Sequence, residues 1–142
     1  MSESNFEETV EAIVGKDPRY HCDAYHFLRE ALDHTQKGVT KGGKEPLRHV
    51  SGQELLEGIR AFALQQFGPM TLMLFQEWGV RSCEDFGEIV FNLVESGLLA
   101  KTKDDSREDF KGGYDFEVAL RRPFLPARAG RAAPRPAKTT KA

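Results

Sequence analysis

One segment of the chain has nearly the spacing of a phosphate-binding loop. Gly38, Gly43 and Lys44 stand where such loops place the glycines that let backbone N–H groups surround a phosphate and the lysine that contacts it. The next position requires a Ser or Thr to bind Mg²⁺, but it is Glu45, whose carboxylate repels phosphate. The segment also follows a predicted helix and not a strand. We therefore expect a solvated basic loop and no nucleotide cofactor.

Potential zinc ligands gather near the start of the predicted second helix. His21, Cys22 and His26 are residue types that bind zinc, but tetrahedral zinc requires four converging ligands. His21 and Cys22 are neighbours at a helix start, and His34 lies too far beyond His26 to share one ion with it. This spacing favours a surface or half-buried set of histidines, and we expect no metal.

Two further groups of residues resemble a reactive thiol and a calcium-binding loop, but neither has the surroundings that such a site requires. Cys83 opens a predicted helix, where the helix dipole lowers a thiol pKa, but Glu84 and Asp85 act in the opposite direction and no histidine is near in sequence. The acidic run from Asp104 to Asp109 lacks the alternating oxygen ligands of a calcium loop. The sequence therefore predicts a structural thiol, no catalytic residue, and a protein that is not an enzyme.

The charge of the chain is distributed unevenly. The 142 residues, about one domain in size, carry a net charge of −2, but the segment from Arg121 onward holds seven basic residues and no acid. Removing those seven positive charges leaves −9 on residues 1–120. The acidic N-terminus has no apolar signal segment, and the longest apolar run, Met70–Phe75, is too short to span a bilayer. We expect a cytoplasmic protein with reduced thiols and no membrane partner.

The pattern of apolar residues predicts a mainly α fold with a small β-ribbon. Residues 1–37 form an N-terminal helical pair that packs on the main block, and 38–50 form a basic connection rich in Gly and Lys. Residues 51–122 form a winged-helix-like block of three helices plus a hairpin. Residues 123–142 form a disordered basic tail, since they contain too few large apolar side chains to offset the entropy lost on ordering.

Within the main block, turn and cap residues define the predicted elements. Ser51 with Glu54, and Ser82 with Asp85, have the spacing of capping boxes, and Pro69 suits the start of the short middle helix. Strands are predicted at 98–102 and at 114–120, with a polar wing tip at 103–113 between them. In the second strand apolar and polar residues alternate, as they do in a half-buried strand. A helical turn over 116–121 is the alternative to the second strand.

The winged-helix order suggests a nucleic-acid reader, but the helix that would enter the groove is acidic. We instead predict a protein-interaction module, either an adaptor or a regulator, whose apolar middle helix and acidic third helix contact a protein partner or a second copy. The competing interpretation is that these residues are core. The candidate partner-binding residues are Met70, Met73, Phe75, Trp78, Glu84 and Glu88.

The alternative function is association with nucleic acid or the ribosome through the basic tail. Cations on a flexible arm bind phosphates without reading sequence, because binding releases condensed counterions. The candidate contacts are Arg121, Arg122, Arg128, Arg131, Arg135, Lys138 and Lys141.

Several short motifs stand out along the chain. They are Lys16–Tyr20, Ala24-Tyr25, Glu30–Leu32, Val50–Arg60, Gln66–Pro69, Trp78-Gly79, Ser82–Phe91 and Asp105–Phe110. These motifs resemble those of one bacterial family, a conserved hypothetical family restricted to planctomycetes, verrucomicrobia and their relatives. The resemblance covers about residues 6–126 and excludes the basic tail. It implies a bacterial cytoplasmic setting and brings no activity, cofactor or catalytic residue.

Overall fold

The computed structural model describes residues 3–39, 50–99 and 107–126, and these ranges are mainly helical. No helix within them is both long and apolar enough to cross a bilayer. The α-helices are α1 (Glu3–Lys16), α2 (Cys22–Val39), α3 (Gly52–Phe67), α4 (Thr71–Glu77) and α5 (Cys83–Glu95). The shorter elements are the 3₁₀ turns Gly68–Met70, Arg107–Phe110 and Arg122–Phe124 and the π-helical turn Glu117–Arg121.

The starts of α3 and α5 are fixed by the capping boxes that the sequence predicts. The Ser51 hydroxyl accepts the Glu54 N–H at 3.1 Å, and the Glu54 carboxylate accepts the Ser51 N–H at 3.0 Å. At α5 the Asp85 carboxylate accepts the N–H groups of Arg81 and Ser82 at 2.8 and 3.2 Å. Each box satisfies backbone donors that have no partner within the helix, so both predictions are confirmed.

The centre of the core is a cluster of aromatic rings around Phe75. Phe75 is fully buried, and its ring centroid lies 5.2–5.8 Å from those of four other aromatic residues. Such clusters bury large apolar areas in defined geometry. The cluster therefore joins α2, α4, α5 and the residue preceding the π-helical turn. The four partners are Phe27, Trp78, Phe86 and Phe116.

One aromatic side chain anchors the Arg107–Phe110 turn. Phe110 is buried and lies against Gly52 of α3 and Gly87 of α5. A Cβ at Gly87 would stand 3.0 Å from Phe110 side-chain carbons, and one at Gly52 would stand 3.3 Å from its ring. The two glycines therefore provide the space that the Phe110 ring fills.

The predicted β-ribbon is wrong, and with it the winged-helix-like block, because the described residues contain no strand. Leu98 and Leu99 form a bend, and residues 100–106 lie outside the described ranges. The predicted second strand, 114–120, is instead irregular up to 115 and helical from 116 onward. The alternative of a helical turn over 116–121 describes this segment correctly.

Burial explains why the strand prediction failed. In a half-buried strand, Phe116, Val118 and Leu120 would all face the core. The buried residues are instead Phe116, Ala119 and Leu120, while Val118 is exposed. This i, i+3, i+4 spacing is helical, and the apparent alternation arose because an exposed valine happened to occupy the intermediate position.

The structure describes only part of the predicted linker and tail. Residues 40–49 of the connection, which include Gly43, Lys44 and Glu45, lie outside the described residues. So do residues 127–142 of the tail and 103–106 of the wing tip. Where the tail begins, Arg122–Phe124 form a 3₁₀ turn that directly follows the π-helical turn.

Candidate interaction surface

The four apolar candidate residues lie on α4 or directly next to it, and their burial separates them into two pairs. Phe75 is fully buried and Trp78 is 9% exposed, so these two are core residues, as the competing interpretation held. Met70, at the end of the preceding 3₁₀ turn, and Met73 are exposed. The structure therefore leaves the two methionines as candidates for contact with a partner.

Three other exposed apolar side chains lie on the π-helical turn and just after it. Val118, Phe124 and Leu125 belong to the π-helical turn and the residues after it. The π-helical turn contacts α4, and the Phe75 and Phe116 ring centroids lie 5.8 Å apart between the two elements. We call the five residues with 43–51% exposure the apolar surface: Met70, Met73, Val118, Phe124 and Leu125.

Sequence reasoning missed the second half of this surface. The strand predicted at 114–120 places Val118 on its inner face, and the tail predicted at 123–142 includes Phe124 and Leu125. The signal that identifies Val118 as exposed is the helical spacing of Phe116 and Leu120, which a strand interpretation hides.

The two acidic candidates of α5 have different environments. Glu84 is exposed. Glu88 is bound within the molecule, since its two carboxylate oxygens accept the Arg19 guanidinium at 3.4 Å and the Arg107 guanidinium at 3.1 Å. Arg107 also lies over the Phe91 ring at 4.9 Å. Glu88 therefore holds two loops on α5.

The chain between α1 and α2 is attached to α5 through a network of paired polar groups. Asp17 forms a bidentate pair with Arg19, at 2.8 and 2.6 Å, and accepts the Asn92 amide at 3.1 Å. Asn92 also donates to the buried Tyr25 hydroxyl at 3.0 Å. The Arg19 guanidinium, followed by the Asn92 amide, lowers the pKa of Asp17 well below its ordinary value despite partial burial.

The same loop makes a close backbone contact with the turn between α4 and α5. The His21 N–H donates to the Trp78 carbonyl at 3.0 Å, and the buried Tyr20 donates its hydroxyl to Asp85 at 2.6 Å. Burial, and then this bond to a carboxylate, raise the pKa of Tyr20. Gly79, at φ +88°, lies against the Arg19 carbonyl, where a Cβ would clash. We call the contacts of residues 17–21 with α5 and with the turn that precedes it the loop–α5 junction.

The potential metal ligands that come together in the described ranges are His21, Cys22 and Asp23. Their ligand atoms lie within 4.8 Å of one another at the exposed start of α2. His21 Nδ1 accepts the Asp23 N–H at 3.0 Å, so the His21 side chain caps the start of α2. His26 packs instead on the Phe6 ring, with a centroid distance of 5.2 Å. The positions of His21 and Asp23 are therefore accounted for by the capping of α2.

Cys83 is buried and bonded to the backbone of Tyr114. Its Sγ donates to the Tyr114 carbonyl at 3.5 Å and accepts the Tyr114 N–H at 3.4 Å. Burial, the largest influence, raises the pKa of the Cys83 thiol. A protonated, buried thiol is a poor nucleophile, and this one ties the 113–114 segment to α5.

Two of the seven cationic candidates lie in the described ranges. Arg121 pairs with Glu117 at 3.1 Å, one helical turn away, and Arg122 is exposed. The other five lie outside the described residues: Arg128, Arg131, Arg135, Lys138 and Lys141.

Comparison with known proteins adds no assignment to this geometry. No protein family, curated protein or solved structure gives a significant match to the chain. The candidate surface is therefore defined by its own exposure, packing and charge.

Proposed function

We propose that this protein is a non-enzymatic protein-interaction module that binds its partner through the apolar surface. The proposal rests on where the exposed apolar side chains lie in the structure. Among the described residues, every large apolar side chain with high exposure lies on the 3₁₀–α4 segment or on the π-helical turn and its continuation, and the π-helical turn packs against α4. Exposed apolar side chains concentrated in one region are typical of binding sites.

The residues of this surface suit contact with a partner. Burial of apolar area contributes about 25 cal/mol per Å² removed from water. Methionine side chains such as Met70 and Met73 are flexible and polarisable, so they adapt to the shape of a partner. π-helical turns are rare and occur frequently at functional sites, and Val118 lies on one.

The buried aromatic cluster supports this surface from behind. Phe75, two residues after Met73, contacts the rings of Trp78 and Phe86 at centroid distances of 5.8 and 5.2 Å. A helix held by such packing presents its exposed residues in a fixed arrangement, which lowers the entropy lost on binding.

The chemistry of the described polar groups also supports a binding role. The carboxylates of Asp17, Asp85 and Glu88 are bonded within the loop–α5 junction, and the Cys83 thiol is buried. Both cysteines are free, which supports a reducing compartment such as the cytoplasm as the setting.

The test is the double variant Met70→Glu/Met73→Glu. Both side chains are exposed, so we expect the variant to keep the wild-type helical circular dichroism while losing the partner in quantitative pull-down from cells of the source organism. Ala12→Glu places a new carboxylate on an exposed position of α1 and should retain the partner. Recovery of the same proteins by the folded double variant would refute the proposed function.

A further inference from the structure

We propose that the partner bound by the apolar surface is a second copy of this chain, related to the first by a two-fold axis. The inference rests on the proposed function and names the partner. In this arrangement the α4 half of the surface, which carries Met70 and Met73, packs on the 118–125 half of the other copy. The two-fold axis forms this contact twice, because each copy provides both halves.

The first support is the balance of charge at the apolar surface. Six exposed charged side chains lie on or beside its two halves, and three acids balance three bases. A strongly acidic or strongly basic partner therefore gains no net attraction from this surface, whereas a second copy meets no net repulsion there. Charges elsewhere on the molecule are largely screened beyond about 8 Å at physiological salt. The six residues are Glu77, Arg81, Asp115, Glu117, Arg121 and Arg122.

The second support is the sign and position of two charges that the fold leaves unpaired. Glu117 is paired with Arg121 at 3.1 Å. Glu77 and Arg122 are exposed, and neither forms an ion pair with a residue in the described ranges. Glu77 lies on the α4 half of the surface and Arg122 on the 118–125 half. The two-fold arrangement therefore places the acid of each copy opposite the base of the other.

The third support is a cleft at the same surface. Leu72 and Phe116 provide its apolar lining, and it encloses about 240 Å³ between α4 and the π-helical turn. Met73 is the next residue after Leu72 and is 51% exposed. Its unbranched side chain is flexible enough to fill an irregular space. In the dimer, Met73 of each copy enters the cleft of the other, so the surface is complementary to itself in shape as well as in charge.

The exposed apolar area is sufficient for a weak dimer. A large side chain has on the order of 200 Å² of surface. The five side chains of the apolar surface are 43–51% exposed and therefore present roughly 400–500 Å² on each copy. A standard interface buries about 800 Å² per partner, and smaller interfaces form transient complexes. With a polar rim added, we expect a dissociation constant on the order of tens of micromolar.

The test is the association state of the purified full-length chain, measured by sedimentation velocity over a range of concentrations. We expect monomer at about 1 μM and mostly dimer at about 500 μM. Met70→Glu/Met73→Glu should weaken self-association by roughly a hundredfold or more, because four carboxylates would enter the apolar contact. Glu8→Arg, at an exposed position of α1, is the control and should leave the association unchanged.

A charge-reversal pair tests the two-fold arrangement itself. Glu77→Arg and Arg122→Glu should each weaken self-association roughly tenfold at low salt, because each places like charges opposite one another. An equimolar mixture of the two variants should recover the wild-type affinity. In the mixed dimer, the E77R chain has a base at both positions and the R122E chain has an acid at both, so both opposite-charge pairs form again.

The outcomes separate this inference from the proposed function. A chain that remains monomeric at about 500 μM would overturn the second-copy proposal. So would a dimer that the methionine variant leaves intact, or a mixture that associates no better than its components. If the chain is monomeric while pull-down recovers another protein that Met70→Glu/Met73→Glu loses, the interaction function stands and only the partner is wrong. If the folded methionine variant self-associates and recovers proteins as the wild type does, both proposals fail.

Discussion

The loop–α5 junction and the apolar surface differ in how completely their side chains are paired within the molecule. At the junction, Asp17 and Glu88 are bonded to arginines and Asn92 bridges two elements. At the apolar surface, Met73 and Val118 are about half exposed. The side chains of the first region hold elements of the fold together, whereas those of the second are left exposed to solvent.

The difference shows that an acidic residue type in the sequence does not by itself identify a docking face. Two acids of α5 suggested a docking face for a basic partner, but Glu88 is an internal link between loops. Exposed apolar area is the better indicator of a surface that can bind a partner. Polar groups are readily satisfied by water or by neighbouring residues, whereas covering apolar area removes it from water and lowers the free energy.

The strongest test of the contrast between buried and exposed residues is within α4 itself. Phe75→Ala empties the centre of the aromatic cluster and should lower the free energy of unfolding by about 4 kcal/mol. Met73→Ala, two residues away and exposed, should change it by less than about 0.5 kcal/mol. Chemical denaturation measures both. Equal losses of stability would mean that Met73 is a core residue and not part of a surface.

A second test separates the close backbone contact of the junction from backbone strain. Gly79→Ala should cost about 3 kcal/mol, because a Cβ there clashes with the Arg19 carbonyl at a positive φ. Gly97→Ala is the matched control: φ is +80° and nothing lies within 4 Å, so only the strain of about 1 kcal/mol remains. Thermal and urea unfolding of the pair should show this difference, and similar costs would argue against a tight junction.

The smallest expected effect concerns the response of the junction to acid. The folded-state pKa of Asp17 lies well below its unfolded value of about 3.9, so its contribution to stability is complete well above the unfolded value and is lost progressively as the pH falls from that value to the folded-state pKa. Asp17→Asn and Arg19→Met should therefore both flatten the loss of stability below about pH 5, measured by urea midpoints. A wild-type slope in Asp17→Asn would show that this pair does not link folding to protonation.

Local sequence signals predicted the helices well. Ser51, Glu54 and Asp85 fix helix starts through bonds that span only three or four residues, so their spacing alone identifies them. Pro69 stands in the first turn of the 3₁₀ segment that leads into α4, as predicted. The prediction failed at residues 116–120, where the short apolar pattern fits both a strand and a helical turn and only tertiary packing decides between them.

The junction was beyond sequence reasoning because its partners are far apart in the chain. Asn92 donates to Asp17 and Tyr25 across 75 and 67 residues, and Arg107 reaches Glu88 only after the turn docks. Nothing in the local pattern distinguishes such a bonded carboxylate from a solvated one such as Glu84. The same holds for Met73 and Phe75, whose residue types are alike in hydrophobicity but whose burial is set by the helix orientation.

The seating of Phe110 against Gly52 and Gly87 has a consequence for folding order. The 107–126 segment consists of turns of three to five residues, which are too short to be stable alone in water. We expect it to acquire its shape only after α3 and α5 have come together, because Phe110 packs against a glycine of each helix. An isolated 107–126 peptide should therefore not reproduce the arrangement of Val118, Phe124 and Leu125, the part of the apolar surface that lies on this segment.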